Sequence, residues 1–304
     1  MYLKAKNQTL TRKNLQLILQ NFLKIWYTLN KATIKATLKE SWWVFMKEVQ
    51  KYLESRIGSY SFFFEDLKSG YTYGYNENVK MISAGCMKLP IAIALIKEVE
   101  EGKIDFLDKV KIESSDKVYG TGIIHEFGER EYTVFELMVA MLIQSDNTAA
   151  NKIIDLVGMD KINETIKEFG MKNTELNRKT ADERNFKSDV ENYTTAYDLT
   201  LAWKKLSEGS FLSKENSQML IDILTRQQIK NKLALYIPDN LKFDISSKTG
   251  DKKGVENDTA LIHTQKGNFA CTVMSSGIPN SVYGTVTLAK SGKMTWDAIM
   301  NNWH

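Results

Sequence analysis

Strand-like segments occur at two places far apart in this chain, and a long block with helical periodicity separates them. The first segment, SYSFFFEDLKSGYTYGYN, is rich in aromatic residues and is interrupted at residues 68–70, which predicts a β-hairpin. After Pro238, three further strands are predicted in KFDISSKTG, DTALIHT and NFACTVMSSG. Between these groups, residues 88–225 are predicted to be nearly all helical.

Strands at both ends of a chain imply one mixed sheet whose parts are distant in sequence. The predicted class is α/β (α+β): an antiparallel sheet from the N- and C-terminal parts, flanked by helices, with a large all-helical insertion lobe. The expected units are a basic helical extension (1–40), a sheet lobe (41–82 plus 226–304) and an all-helical lobe (83–225). A last amphipathic helix covers about residues 282–303. A cleft between the two lobes would be a natural ligand site.

Several residues predict where helices begin and end. Thr133, followed by Glu three residues later, forms a capping-box pattern, and Ser213 is a predicted helix start. Gly158 and Gly170 are predicted helix stops, and Gly58 is predicted to close the helix SWWVFMKEVQKYLESRIG.

Positive charge is concentrated in residues 1–40, which hold eight Lys or Arg and one acid, Glu40. These residues contribute +7 to the net charge. Because the net charge of the whole chain is +4, the remaining residues carry −3, and they have no basic face suited to nucleic acid. Residues 13–29 have the apolar spacing of a helix. This helix could pack on the body or on a second subunit as a homo-oligomer contact, or it could associate with an anionic membrane surface. No cleavable signal is recognised, so a cytoplasmic location is the default, with the membrane surface or export as alternatives.

Three short motifs fall in the predicted cleft. They are Gly85-Cys86-Met87-Lys88 at a helix start, Ser145-Asp146-Asn147 in a loop between helices, and Lys248-Thr249-Gly250 at the end of an inner strand. Each motif alone is weak, because Ser-Asp-Asn is an ordinary helix N-cap and Lys-Thr-Gly an ordinary strand exit. Their order, with separations of 60 and 103 residues, is much more specific.

This order resembles that of the class A β-lactamases and their penicillin-binding relatives, whose signature is S-x-x-K, S-D-N and K-T-G. The resemblance covers about residues 41–304 and extends to the flanking stretches KLPIAIALI, LIQSDNTAANKII and SSKTGDKKGVENDTALI. It implies a serine hydrolase that uses no cofactor and no metal, and a small ligand such as a β-lactam or a D-Ala-D-Ala-like peptide. Three scattered His and two Cys give no support to a zinc hydrolase.

The resemblance also assigns roles. Lys88 would be the general base, Ser145 would relay a proton to the leaving nitrogen, and Asn147 would hydrogen-bond the substrate amide. The substrate-binding positions are Thr249, Gly250 and Asp251, with Lys248 and Thr249 holding the substrate carboxylate and the N–H groups of residues 85 and 251 forming the oxyanion hole.

Gly85 stands where the family has its nucleophilic serine, so the chain cannot form an acyl-enzyme there. Two explanations remain open: a Ser→Gly substitution made to stop acylation, or a natural pseudoenzyme that keeps the cleft for binding. Cys86 is a poor substitute, because helix geometry turns it about 200° away from Lys88 and into the core. A buried thiol among apolar groups also has a raised pKa.

Class A enzymes place a glutamate in a loop after the helical block to activate the hydrolytic water. One alignment of the corresponding loop puts Asn173 at that position. The preferred alignment puts Thr180 there, with Asp182 or Glu183 as the nearest acids. Glu175 and Glu191 would then be solvated or structural. The unsubstituted enzyme would therefore deacylate slowly, like a penicillin-binding protein.

No arginine follows the Lys-Thr-Gly strand to anchor a substrate carboxylate. Lys252 and Lys253 lie in a predicted turn, and Arg226 is a third candidate. His125 is predicted to be a loop residue and not a catalytic base. A third class of function, a structural or oligomerising protein that keeps the cleft only as inheritance, remains open.

Overall fold

The structure, a computed structural model, describes residues 42–180 and 190–303. The chain divides into two compact units, residues 1–45 and residues 46–304, and nearly all of the described residues belong to the second. The predicted N-terminal extension lies outside the described residues, and so does its helix over residues 13–29.

Helices and strands follow one another in an uneven order along the described chain. The helices are α1 (residues 42–54), α2 (Lys88–Glu100), α3 (Val134–Ile143), α4 (Asn147–Val157), α5 (Met159–Phe169), α6 (Ala196–Glu208), α7 (Lys214–Thr225) and α8 (Ser281–Asn302). The strands are β1 (Ser59–Asp66), β2 (Thr72–Tyr75), β3 (Met81–Ile82), β4 (Lys109–Ile112), β5 (Arg130–Thr133), β6 (Tyr193–Thr194), β7 (Ile245–Lys252), β8 (Val255–Thr264) and β9 (Gly267–Ser276).

A five-stranded antiparallel sheet lies at the centre of the fold, in the order β2-β1-β9-β8-β7. Strand β1 pairs with β9, with Phe62 opposite Val273. Strand β7 is the edge strand beside β8, with Lys248 opposite Thr259. The predicted hairpin, the three C-terminal strands and the antiparallel sheet built from both ends of the chain are confirmed.

Helices cover both faces of this sheet. On one face, Thr200 of α6 shares a hydrogen bond of 2.8 Å with Thr272 of β9. In β8, Trp203 of α6 donates to Thr259 at 2.7 Å, whereas Ser281 of α8 donates to Glu256, three residues earlier in the same strand. Because successive side chains in a strand point to opposite faces, α6 and α8 lie on opposite sides of the sheet. Burial on both faces explains why β1 reads as the nearly continuous apolar run SYSFFFED.

The prediction that residues 83–225 are all helical is wrong. Two small antiparallel sheets lie within or across this region, one of β4 with β5 and one of β3 with β6. Strand β4 has the sequence KVKI, whose period-two alternation is too short to be distinguished from an amphipathic helix by pattern alone. The second pair has only two residues in each strand.

Most of the predicted helix ends are confirmed. Thr133 forms the capping box with Glu136, and Ser213 caps α7. Gly158 ends α4 with φ +87°, and Gly170 ends α5 in the left-handed conformation with φ +95°. The prediction for Gly58 is wrong, because α1 ends at residue 54 and this glycine leads directly into β1.

Helix α2 is the centre of the helical part of the molecule. Ten of its 13 residues are buried, and it packs against α3, α4 and α5. A helix that is apolar on nearly every side is stabilised by burial on nearly every side. The first residue of α2, Lys88, is thereby held at a fixed position at the wall of the cleft. Within residues 42–180 and 190–303, no helix combines the length and apolarity that crossing a bilayer requires.

Candidate active site

The three sequence motifs meet around the hydroxyl of Ser145. The Lys88 Nζ atom donates to Ser145 Oγ at 3.0 Å, to the Ser145 carbonyl oxygen at 2.5 Å and to Asn147 Oδ1 at 2.8 Å. From the other side, Lys248 Nζ donates to the same Ser145 Oγ at 3.1 Å. All four residues are buried. One hydroxyl therefore connects a helix, a loop and a strand.

Lys88 is brought to this position by a change of helix type. Residues Ala84–Met87 form a 3₁₀ helix that runs directly into α2, so Lys88 is the first α-helical residue and not a residue one turn inside. Ala84, at the start of this turn, has φ +46°. Lys88 still lies three residues after Gly85, as the motif requires.

Asp146 holds the central motif in place. As the N-cap of α4 it accepts from the Ala149 N–H at 2.9 Å. Its other oxygen accepts from the Ile123 and Ile124 N–H groups at 2.7 and 2.9 Å. Asp146 therefore serves as an ordinary helix cap and also supports the loop that lines the site. Ser145 itself has φ +55°, a conformation that few non-glycine residues adopt.

The loop between β4 and β5 completes this side of the cleft. Asn147 donates from Nδ2 to the Tyr119 carbonyl at 3.3 Å, and Thr121 Oγ1 donates to the Ser145 carbonyl at 2.9 Å and to Asn147 Oδ1 at 3.1 Å. Tyr119 and Thr121 line the cavity, and sequence reasoning missed them. Neither residue lies in a recognisable sequence motif. The loop is held at the site by hydrogen bonds to Asp146 and Asn147, which are distant from it in sequence.

Strand β7 packs backbone to backbone against the 3₁₀ helix. The Cys86 Sγ donates to the Lys248 carbonyl at 3.2 Å. A Cβ atom added at Gly250 would lie 2.7 Å from the nitrogens of Gly85 and Cys86, and one added at Gly85 would lie 2.8 Å from the Thr249 carbonyl oxygen. Glycine at both positions permits this close approach.

Burial lowers the pKa of both lysines. Loss of hydration is the largest cause for Lys88, followed by the nearby charge of Lys248, and its pKa falls to about 7. The pKa of Lys248 falls to about 8, again mainly through burial. The proton equilibrium of Lys88 is thereby moved toward neutral pH, and in its neutral form the amine can accept a proton. Burial raises the pKa of Cys86 to about 12, in agreement with the predicted core cysteine.

A cavity of about 960 Å³ opens beside this network. Of the predicted site residues, Gly85, Lys88, Ser145, Asn147 and Asp251 line it. Lys248 and Thr249 do not, because both are fully buried behind the wall. The Thr249 hydroxyl instead accepts from Gln227 Nε2 at 3.2 Å, and Gly250 forms the backbone contact with the 3₁₀ helix. Among the described residues that line the cavity, Lys248 hydrogen-bonds Ser145.

The three residues considered for binding a substrate carboxylate differ in whether they line the cavity. Arg226 does not line the cavity but a shallow hollow beside α3, and its Nε donates to the Asp222 carbonyl at 3.4 Å. Lys252 and Lys253 do line the cavity. His125 lies outside the lining, with its ring 5.2 Å from that of Tyr119, as expected for a loop residue.

Lys232 is a site component that sequence reasoning missed. It is 2% exposed and pairs with Glu256, with Nζ 2.6 Å from Oε2. The same Nζ donates to the Gly250 carbonyl at 3.3 Å and lies 3.7 Å from Asp251 Oδ1. It therefore positions the end of β7 from behind. A lysine in a connecting segment, with its partner 24 positions later, gives no sequence signal.

The loop after α5 is partly described. Thr180 lines the cavity and exchanges two hydrogen bonds of 2.8 Å with the Asn151 side chain. Asn173, the position given by the other alignment, lies outside the lining and donates to Asp198. Asp182 and Glu183, the possible loop acids, lie outside the described residues.

Within the described part of that loop, Glu175 and Glu191 are both engaged in ion pairs. Glu175 pairs with Lys80 at 2.5 Å, and both side chains are well exposed. Glu191 lines the cavity, where it pairs with Arg178 at 2.8 Å and also with Lys252. The predicted solvated or structural roles agree with these contacts. Glu191 and Lys252 thereby link the loop to the turn between β7 and β8.

A family model supplies the decisive comparison. The model described as the beta-lactamase enzyme family matches residues 44–299, which is most of the chain and includes all three motifs. This chain belongs to that beta-lactamase enzyme family.

Curated relatives agree with the assignment. The chain is 28% identical over 190 residues to the β-lactamase CARB-3 of Pseudomonas aeruginosa, and the match covers 62% of this chain and 65% of that protein. It is 28% identical over 149 residues to the D-alanyl-D-alanine carboxypeptidase DacF of Bacillus subtilis, covering 47% and 37%. The chain thus spans slightly less than two thirds of the curated β-lactamase that it matches.

Solved structures share the fold. A β-lactamase from Sphaerobacter thermophilus superposes with a TM-score of 0.78 at 28% identity, over 84% of this chain and 97% of that one. The structure of PBP-A superposes with a TM-score of 0.77 at 23% identity, over 84% and 96%. The antiparallel sheet flanked by helices is therefore the β-lactamase and transpeptidase fold.

Proposed function

We propose that this chain binds β-lactams or D-Ala-D-Ala-like peptides in its cavity without forming an acyl-enzyme at residue 85 and without turnover. Gly85 carries the proposal. It lines the cavity beside an intact network of Lys88, Ser145 and Asn147, yet it offers no hydroxyl to attack a carbonyl carbon. A pocket of this chemistry can still donate and accept hydrogen bonds.

The packing around Gly85 favours a chain that has adapted to glycine over one in which a serine was simply removed. A Cβ atom there would lie 2.8 Å from a backbone oxygen, a separation that side chains do not adopt without a shift of β7. This packing supports the proposal of a natural pseudoenzyme, with ligand recognition as its remaining activity.

The ligand's recognition groups follow from the lining. The N–H groups of residues 85 and 251 are the candidates to receive its carbonyl oxygen, and Asn147 to meet its side-chain amide. Because Lys248 and Thr249 are buried, the lysine charges at the carboxylate end of the cavity are those of Lys252, which also pairs with Glu191, and of the exposed Lys253. A free carboxylate on the ligand would pair with these lysines.

Binding and turnover can be measured separately. We expect the chain to bind penicillin G saturably in calorimetry and to leave a chromogenic cephalosporin unhydrolysed. Asn147→Ala should weaken binding, whereas Lys51→Ala, an exposed change on α1, should not. Hydrolysis at residue 85 cannot occur, so turnover by the unaltered chain, or an absence of saturable binding, would overturn the proposal.

Gly85→Ser tests the family chemistry directly. If β7 shifts by a few tenths of an ångström, we expect a covalent penicillin adduct on residue 85, visible as an added ligand mass. Gly85→Ala introduces the same Cβ without the hydroxyl, so its melting temperature isolates the steric cost from the chemistry. A stable, folded Gly85→Ser protein that gives no adduct would count against the assigned roles of Lys88 and Ser145.

Deacylation of that adduct is expected to be slow, because Thr180 offers no carboxylate to activate water. Adding Thr180→Glu to Gly85→Ser should speed release of the acyl group by about 10²- to 10⁴-fold, the usual contribution of a positioned general base. The decay of the adduct mass with time measures it. Equal decay rates in the single and double variants would mean that residue 180 does not occupy the base position.

A further inference from the structure

Ser145 is the hydroxyl that two lysine amines hold at the cavity wall. Its Oγ lies 3.0 Å from Lys88 Nζ and 3.1 Å from Lys248 Nζ, and Ser145 lines the cavity. Thr121 also presents a hydroxyl nearby, but this hydroxyl donates to the Ser145 carbonyl oxygen and to Asn147 Oδ1.

We propose that Ser145 replaces the missing residue 85 hydroxyl as the group that a strained β-lactam acylates in this chain. The inference rests on the proposed function, since the lactam must first occupy the cavity. It goes beyond that function by assigning a covalent site to a residue whose expected role is proton relay.

Distance supports this assignment. A Cβ atom built on Gly85 would lie 3.2 Å from Ser145 Oγ. The position of a residue 85 side chain is therefore adjacent to the Ser145 hydroxyl, although the Thr249 carbonyl oxygen lies 2.8 Å from the same point and keeps a ligand on the cavity side of it. We expect a lactam carbonyl bound on the cavity side of Gly85 to approach Ser145 Oγ to about the 3–3.5 Å separation of reacting atoms.

The step balances without a further reactant. The Ser145 oxygen forms a bond to the carbonyl carbon while its proton passes to the neutral Nζ of Lys88. The carbonyl–nitrogen bond of the lactam then breaks, and the ring nitrogen takes a proton from the Lys88 or Lys248 ammonium. Because the nitrogen stays attached to the opened ring, the protein gains the whole mass of the ligand.

Two features explain why the reaction would be confined to strained amides and would stop at the adduct. Ser145 is only 5% exposed, so its approach to the carbonyl is restricted. No carboxylate of the described loop lies unpaired at the cavity wall to activate a water, because Glu191 is paired with Arg178 and Lys252. We therefore expect a long-lived penicillin adduct and no release of product.

Cys86 does not compete for this role. Its Sγ is fully buried, donates to the Lys248 carbonyl and lies behind the wall of the cavity. Loss of hydration keeps the thiol protonated, since its pKa is raised to about 12.

The test is intact-protein mass spectrometry after incubation with penicillin G, followed by peptide mapping. We expect one ligand mass on the peptide that contains Ser145, and loss of that adduct in Ser145→Ala. Ser145→Cys should be labelled faster at the same position, because a thiol is the better nucleophile. Thr133→Ala, which removes a hydroxyl outside the cavity lining, should be labelled like the unaltered chain.

Calorimetry on the same samples separates the two proposals. Saturable penicillin binding with no adduct in the unaltered chain or in Ser145→Cys would overturn the role of Ser145 and leave the proposed function standing. Absence of binding would instead overturn the proposed function. An adduct mapped to any residue other than 145 would also refute this inference, and circular dichroism confirms that each variant is folded.

Discussion

The charge of Lys88 changes close to neutral pH. Burial is the main cause of its lowered pKa, about 7, and Lys248 adds to it, whereas Asp146 and Asp251 oppose it. In the unfolded chain the pKa returns to about 10.5. Between these two values the unfolded state binds more protons than the folded state, so stability rises with pH across that window.

We expect the free energy of unfolding to increase from pH 7 to about pH 9, and Lys88→Met to reduce that increase. Urea titrations at both pH values measure it. Some slope will remain in the variant, because the pKa of Lys248 is lowered to about 8 and acts in the same direction. The exposed Lys51→Met change should leave the slope as it is. An unaltered slope in Lys88→Met would show that this lysine stays charged in the fold.

Helix α4 and the loop between β4 and β5 depend on the same carboxylate, that of Asp146. Asp146 accepts from three backbone N–H groups, one on the helix and two on the loop. Asp146→Ala removes a helix cap worth about 1 kcal/mol and leaves buried donors unsatisfied, so we expect a loss of roughly 2 to 4 kcal/mol. Denaturant unfolding measures the change in stability.

The exposed capping box of α3 provides the control. Thr133→Ala removes a cap of similar geometry with no second loop attached, and should cost only about 1 kcal/mol. Equal losses in the two variants would mean that Asp146 contributes capping alone. Penicillin binding should fall in Asp146→Ala but not in Thr133→Ala, since only the former disturbs the Ser145 loop.

The contact of β7 with the 3₁₀ helix depends on Gly250. A methyl group there would lie 2.7 Å from two backbone nitrogens, so Gly250→Ala should destabilise the protein by about 1 to 3 kcal/mol through overpacking. Gly128 has nothing within 4 Å of the added carbon, and Gly128→Ala should change stability by less than about 0.5 kcal/mol. Melting curves for both variants check the difference, and equal melting temperatures would refute the close packing.

Trp303, the last described residue, packs against strands β1 and β9. Its ring packs edge-on against Phe64 and Phe269 at centroid distances of 5.3 and 5.9 Å, and its Nε1 donates to Asp66 Oδ2 at 3.0 Å. We expect Trp303→Ala to cost about 3 to 5 kcal/mol, the usual range for a buried aromatic residue. Trp303→Phe should cost less, because it keeps most of the packing and loses the hydrogen bond. Guanidinium unfolding distinguishes them, and similar losses would contradict the role of packing.

The sequence predicts the large features of the fold because they rest on repeated local signals. Aromatic strands around Phe62, the apolar run of α2 and the three motifs each carry a period or a spacing that can be read directly. The short strands β4 and β5 are too brief to show a period. The roles of Lys232 and Thr249 could not be predicted for another reason. Their burial and their partners depend on how β7 packs, and no local sequence pattern contains that information.

Gly85 shows a second limit. Its identity predicts the loss of the nucleophile, but the 2.8 Å approach of the Thr249 carbonyl follows only from three-dimensional packing. The same holds for Ser145, whose two lysine partners come from positions 57 residues before and 103 residues after it.

The pairing of β1 with β9 also determines when the molecule can fold. Phe62 meets Val273 across the sheet, so the two partners are separated by 273 − 62 = 211 positions. At a synthesis rate of about 5 to 20 residues per second, the segment SFFF waits on the ribosome for roughly 10 to 40 s before its partner strand emerges. During that time an apolar strand with high β-propensity is exposed, so production of this protein in cells should depend on chaperones that bind nascent chains.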